Sequence, residues 1–315
     1  MKGGRQKVFK SYEELDSHLS VLYSNGKYAE AVEILENALP FFPDNFASAN
    51  LDLAIMYIQL ENIQKSADCI KNALDRGIWY PKPFFEAQLD TEEFKELLPT
   101  WDELEQAAKK NAKPEWQIFL PKDYDPAKDY PLFIAIHGWG EDIKLFSKFW
   151  HSPVINERYI MAMPQSSQMV GSLNFCWNDR EKTHQEIAQL YEHIKKLHRI
   201  DTGNIITGGF SQGATVALDM ALNFDYVPLK GVISLNPSKP EFFDEIAIVK
   251  AVRKGIRFCI VTGDKDGDYP AQQEMKKEFD KYGDLCSIAV RENWGHWFPE
   301  DLGQRLDDAV YYINS

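Results

Sequence analysis

From residue 115 onward, short apolar runs rich in β-branched and aromatic residues alternate with longer helical stretches, and no other pattern restricts the fold as much. Runs at 115–120, 132–136, 159–163, 204–210, 231–235, 258–262 and 286–291 read as strands. Stretches at 181–198, 212–223, 272–282 and 301–313 read as helices. Strands separated by helices predict a mostly parallel sheet covered on both faces, an α/β fold. In such a sheet, ligand sites form beyond the carboxyl ends of the strands. Residues able to do chemistry therefore matter most at that edge.

The preceding third has a different grammar. Between residues 11 and 111 the pattern is helical, with few β-branched runs. Ala31 and Ala38 lie seven apart, two helical turns, so both present small side chains on one face, while Tyr28 and Leu35 fill the space around them. Pro43 then stops the helix. Asn72-Ala73-Leu74 repeats Asn37-Ala38-Leu39 at a separation of 35, and helix pairs at this period resemble tetratricopeptide repeats. The second copy departs from the first: Ser66 stands where the first has Ala31, and its turn lacks the glycine. Two repeats alone leave apolar faces open, so a further helix over 89–97 is expected as a cap. The expected division is a small all-α helical-repeat domain over 1–112, with about two such repeats and the cap, followed by an α/β domain over 113–315. Two domains also suit the length of 315 residues.

The formal net charge of -13 argues against nucleic acid and anionic membrane surfaces as partners, since both would repel the chain at long range. No apolar run approaches the roughly 20 residues needed to cross a bilayer, so no membrane span is expected. The basic start, residues 1–7, is followed by Glu13, Glu14 and Asp16 rather than an apolar signal core, which predicts a cytoplasmic protein. Cys69, Cys176, Cys259 and Cys286 are scattered without a Cys-x-x-Cys pair, so neither a metal site nor a disulfide framework is expected. His184, His193 and His198 share one expected helix, but 184 and 193 fall half a turn out of phase and read as packing or surface residues.

The chemistry gathers around Gly209-Phe210-Ser211-Gln212-Gly213. Residues 204–210 read as a strand and those after Ser211 as a helix, the sharp turn that lifts a serine hydroxyl above a sheet. A serine nucleophile needs a base, and the base needs an orienting acid. His296, in Trp294-Gly295-His296-Trp297, is the sole histidine after Ser211 and stands between the last strand and the last helix. His137 precedes Ser211, an order suited to paired β-barrels rather than to this pattern. The acid is expected after the strand at 258–262, where Asp264, Asp266 and Asp268 compete; Asp266 is favoured because it lies inside the loop. Donors for an oxyanion are expected from the Gln212 N–H and from the Trp139 N–H, the latter flanked by Gly138 and Gly140.

These motifs, with Leu120-Pro121-Lys122-Asp123-Tyr124-Asp125, His137-Gly138-Trp139-Gly140 and Gly263-Asp264-Lys265-Asp266, resemble the phospholipase/carboxylesterase family, which includes acyl-protein thioesterases and predicted esterases. The resemblance runs from about residue 114 to 315 and implies an α/β-hydrolase that needs no cofactor, with Ser211, Asp266 and His296 as its triad. Relatives often place a proline after the acid, whereas here Gly267-Asp268-Tyr269-Pro270 follows. The expected reaction is hydrolysis of a small acyl ester or thioester. Trp139, Trp177 and Trp297 are expected to border the site, Trp177 and Trp297 as substrate-lining residues; the alternative expectation is that they pack the helical domain onto the sheet. A protein whose helices bind a peptide or protein partner, with the second domain as scaffold, is the competing expectation; a peptidase on the same fold is a third.

Overall fold

The computed structural model describes residues 9–315; the basic run at 1–7 lies outside them. The chain divides into two compact units, Met1–Asn111 with Val170–Ser172, and Ala112–Met169 with Leu173–Ser315.

The first unit is helical: α1 (Tyr12–Ser24), α2 (Tyr28–Ala38), α3 (Phe46–Gln59), α4 (Ile63–Leu74), α5 (Glu92–Lys95) and α6 (Leu98–Asn111). Ser11 caps α1 by accepting from the Glu14 N–H, and Asn62 caps α4 by accepting from the Lys65 N–H. Leu15, Leu19 and Leu22 of α1 pack with Ala31, Val32 and Leu35 of α2 and Ala49, Leu53 and Met56 of α3. Ser66, at the position equivalent to Ala31, is fully buried, and its hydroxyl donates to the Ala54 carbonyl at 2.9 Å. A polar atom is thus tolerated in that close contact because it finds a backbone acceptor.

The turn between α1 and α2 uses Gly26 at φ +69°, whereas the turn between α3 and α4 uses Glu61 at φ +57°. The helix within the expected span 89–97 is shorter than that span. It amounts to the short α5, followed by the 14-residue α6, which begins one residue before Pro99. Proline in a first turn is compatible with helix, so it starts α6 instead of closing its predecessor. Phe85, Phe94 and Trp101 form an aromatic cluster there, with ring centroids 5.7 and 5.9 Å apart.

The second unit carries a seven-stranded sheet in the order β1-β3-β2-β6-β7-β8-β9: β1 (Glu115–Phe119), β2 (Tyr130–Ile136), β3 (Ile160–Gln165), β6 (Ile200–Phe210), β7 (Gly231–Leu235), β8 (Arg257–Gly263) and β9 (Cys286–Arg291). Only β1 runs antiparallel to its neighbour. β4 (Gln168–Gly171) and β5 (Asn174–Cys176) form a separate two-stranded sheet. The helices are α7 (Ile143–Phe146), α8 (Pro153–Arg158), α9 (Arg180–Leu197), α10 (Gln212–Asn223), α11 (Glu245–Arg253), α12 (Tyr269–Asp280) and α13 (Leu302–Asn314).

Central strands are buried on both faces, and their alternation sorts the core into two layers. Leu132, Ile134 and Ile136 of β2 join Ile187 and Ile194 of α9 and Leu218 of α10. Phe133 and Ala135 join Phe146 of α7, Trp150, and Leu306 and Val310 of α13. That period of two is why β2 reads as a continuous apolar run.

A buried polar network fastens α9 to α10. Arg180 grips Asp219 in a fork, with Nε 2.7 Å from Oδ2 and an Nη 3.0 Å from Oδ1, while His184 Nε2 lies 2.8 Å from Oδ2. Asn223 donates to Oδ1 at 2.7 Å, and the other His184 nitrogen lies 2.8 Å from the Tyr226 hydroxyl. Burial alone would raise the Asp219 carboxyl. Hydrogen bonds from His184, Arg180 and Asn223 overcome that and hold it at about 2.

Glu61→Gly, which removes the Cβ strain of an exposed residue in the left-handed region, is expected to stabilise the helical unit by about 1 kcal/mol. The check is urea unfolding of the full chain followed by helical signal. Asp219→Ala is expected to destabilise the second unit by about 2–4 kcal/mol, because it strands buried His184 and removes the anchor of half-buried Arg180. The wild-type advantage from Asp219 should be complete above its ordinary value near 3.8 and vanish as pH falls through about 2, since a lowered carboxyl binds protons later in the folded state. Stability curves of both proteins against pH measure it.

Candidate active site

Strand β6 ends at Phe210 and α10 begins at Gln212, leaving Ser211 alone in the turn with φ +54° and ψ −118°. A non-glycine residue there is strained, and neighbours must hold it. They do so by backbone proximity. A Cβ on Gly209 would lie 2.4 Å from the Ile136 carbonyl oxygen, and one on Gly213 only 2.2 Å from it and 2.4 Å from that of His137. The start of α10 is therefore pressed against the end of β2, which is possible only with glycine on both sides of Ser211. The Ser211 N–H donates to the Leu235 carbonyl at 2.9 Å, tying the turn to β7 as well.

His296 Nε2 lies 2.7 Å from Ser211 Oγ, and His296 Nδ1 lies 2.7 Å from Asp266 Oδ2. The Asp266 side chain is buried, whereas the imidazole is 41% exposed. The Asp268 N–H donates to Asp266 Oδ1 at 2.7 Å, which sets the carboxylate plane. Of the three acids after β8, Asp266 is the one brought to the imidazole. Asp268 instead accepts from Ser238 Oγ at 2.8 Å, and Asp264 lies 3.7 Å from Lys265 Nζ.

The loop carrying His296 hangs from the ends of β7 and β8. The Lys265 N–H donates to the Trp294 carbonyl at 2.8 Å, and a Cβ on Gly263 would meet that oxygen at 2.0 Å. From the end of β7, fully buried Asn236 directs its Nδ2 toward the Gly295 and Trp297 carbonyls on either side of His296, at 3.4 Å each. Asn236 was not legible in the sequence as a site residue; an asparagine one residue past a strand is a common turn former.

The loop after β2 turns tightly with Gly140 at φ +78°. The Gly138 N–H donates to Glu141 Oε2 at 2.7 Å, and the Gly140 N–H donates to the Phe175 carbonyl at 2.8 Å. Asn174 Nδ2 donates to the Gly140 carbonyl at 2.7 Å, so β5 props the loop. Gln212 reaches across with its side chain: Oε1 accepts the Trp177 N–H, and Nε2 donates to Asn178 Oδ1, both at 2.8 Å.

Trp177 departs from the expectation of a substrate-lining position. It is only 4% exposed, packs its ring at a tilt against that of His137 with centroids 4.8 Å apart, and donates its indole N–H to the His137 carbonyl at 2.9 Å. It braces the loop from inside. His137 is fully buried; burial pushes its imidazole down to about 4, against the opposite pull of its hydrogen bond to the Gly138 carbonyl. Trp297 stays at the surface, 49% exposed, with its ring 5.6 Å from Phe149 and 6.2 Å from Phe210. Phe210 also stands 5.2 Å from the His296 ring. Among the described residues no group of three histidine, cysteine or acidic side chains is arranged to hold a metal ion, and no helix is long and apolar enough to cross a membrane.

Residues 126–244 match the model of the phospholipase/carboxylesterase family. An uncharacterized protein from Bacillus cereus ATCC 10987 resembles the whole chain, with 27% identity, 96% of this chain and 98% of that one covered, and a TM-score of 0.55. A ferulic acid esterase is 16% identical over 65% of this chain and 93% of its own, with a TM-score of 0.53. A mutant feruloyl esterase module from Clostridium thermocellum complexed with sinapinate is 16% identical over 62% and 82%, with a TM-score of 0.50. The two esterase likenesses speak to the fold, which is that of the α/β-hydrolases. No curated protein matches the chain. The family match sets the enzyme among the carboxylic ester hydrolases.

Proposed function

We propose that this carboxylic ester hydrolase, phospholipase/carboxylesterase-like in its second unit, cleaves a small acyl ester or thioester through a covalent acyl-enzyme on Ser211. The observation that carries this reading is the unbroken line of two 2.7 Å contacts from Ser211 Oγ through His296 to Asp266. Nε2 takes the hydroxyl proton as Oγ attacks the acyl carbonyl. Asp266 accepts the Nδ1 hydrogen bond, which holds the tautomer that leaves Nε2 basic and stabilises the imidazolium that forms. The developing oxyanion is received by the N–H groups of Gln212 and Trp139. Gln212 opens α10, whose N-terminus favours negative charge at that point. Collapse of the tetrahedral species expels the alcohol or thiol with the proton from His296. Water then repeats the sequence on the acyl-serine and releases the acid.

The exposed aromatic face at Trp297, backed by Phe149 and Phe210, offers apolar surface for an acyl or aryl group beside His296. The helical unit, built from two successive helix pairs of tetratricopeptide-like spacing, supplies a candidate docking surface for a peptide or protein partner. A cytoplasmic setting suits Cys176, Cys259 and Cys286, all three buried as thiols.

A fluorophosphonate probe is expected to label the wild type and not Ser211→Ala, and the substitution should lower kcat for p-nitrophenyl esters by about 10⁴-fold or more. A well-folded wild type that resists the probe would sink the acyl-enzyme mechanism. Trp297→Ala is expected to reduce kcat/KM for p-nitrophenyl octanoate about tenfold while changing the acetate ester little, the signature of lost apolar contact. Equal losses on both esters would remove Trp297 from the acyl site.

A further inference from the structure

Glu141 is an anomaly. It is 6% exposed, and among the described residues it forms no ion pair. An isolated buried carboxylate is unfavourable, and burial pushes this one up to about 7 even against the pull of the Gly138 N–H, with Asp142 adding to the rise. A glutamine, or an apolar residue of similar volume, would carry no such penalty.

What the carboxylate does is local and directional. Its Oε2 accepts the Gly138 N–H at 2.7 Å, folding the side chain back over its own loop, while the Glu141 N–H approaches the Gly138 carbonyl at 3.4 Å. Side chain and backbone of one residue therefore close the turn that contains Trp139 and Gly140. The Glu141 carbonyl accepts the Phe175 N–H at 3.1 Å, and the Gly140 N–H donates to the Phe175 carbonyl at 2.8 Å, so the outer end of the turn is fastened to β5. The inner end faces the nucleophile elbow. A Cβ on Gly138 would lie 3.0 Å from the Phe210 ring and 3.1 Å from Glu141 Oε2, so carboxylate, turn and the residue before Ser211 are in mutual contact range. The Gly138 N–H is thereby committed to Glu141, within the loop itself.

We propose that Glu141 is a positioning residue for the oxyanion loop, acting through the Gly138 N–H to fix where the Trp139 backbone stands relative to Ser211. The inference rests on the acyl-enzyme reading above. A preorganised donor stabilises charge that exists only in the transition state, so loosening it lowers kcat and leaves ground-state binding in place.

The test compares wild type, Glu141→Ala, Glu141→Asp and Glu141→Gln on p-nitrophenyl butyrate, with thermal unfolding as the control for folding. Glu141→Ala is expected to lower kcat about 10- to 100-fold with KM within about twofold, somewhat less than outright removal of an oxyanion donor costs. Affinity for an aryl trifluoromethyl ketone, whose serine adduct loads the same donors, should fall in parallel with kcat/KM. Glu141→Gln retains an acceptor for the Gly138 N–H and should recover most of kcat. Glu141→Asp keeps the charge but withdraws it by one methylene, so it should lose kcat as alanine does; it carries the test if alanine does not fold. Folded Glu141→Ala or Glu141→Asp with wild-type kcat and ketone affinity would overturn the proposal, as would a loss confined to KM. Failure of the underlying reading looks different: the wild type itself would neither turn over the ester nor take up a fluorophosphonate.

Discussion

Everything in the site follows from how closely the first turn of α10 approaches the end of β2. At Gly209 and Gly213 the backbones leave no room for even a methyl group, since an added Cβ would sit 2.2–2.4 Å from the carbonyl oxygens of Ile136 and His137. That approach forces Ser211 into a conformation it would not choose and raises its hydroxyl out of the core. It also brings Gly213, in the first turn of α10, against the His137 carbonyl where the next loop begins. One steric constraint thus joins the Ser211 turn to the end of β2. The helix that makes the approach is anchored by the Arg180–Asp219–His184 network on one side and by the apolar face of α10 on the sheet.

The other residues of the proposed triad are suspended from neighbouring strand ends rather than built on the same helix. Asp266 follows β8, and the His296 loop follows β9 yet is bonded back to β8 through Lys265 and directed by Asn236 from β7. Parallel strands end at one edge, so residues 211, 236, 266 and 296, far apart in sequence, arrive together. The same edge explains why buried groups near the site are polar. His137, Glu141 and Asn236 shape loops from beneath.

Much of this was legible in the chain, for identifiable reasons. The short apolar runs at 132–136 and 258–262 marked strands, and one histidine after Ser211 left a single partner to expect. Asp266 was separable from Asp264 and Asp268 only by loop position, and the hydrogen bonds to Ser238 and His296 show what position alone left open. What the sequence hid has a common cause. The β4–β5 pair has strands of four and three residues, too short for a period to emerge, and it is this pair that props the Gly140 turn. Without it, Trp177 reads as a loop aromatic and so as a substrate contact. With it, Trp177 is a buried brace on His137. The same blindness covers Glu141: from sequence it is one more acid in a loop, and only burial against Gly138 distinguishes it.

The central claim is that acyl transfer passes through Ser211, and trapping the acyl group tests it most directly. Rapid acid quench of the full-length enzyme during the first turnovers of p-nitrophenyl butyrate, followed by intact mass and peptide mapping, should reveal one butyryl group per chain on the peptide containing Ser211. Turnover at the wild-type rate with no acyl adduct, or with the acyl group on another residue, would contradict the account.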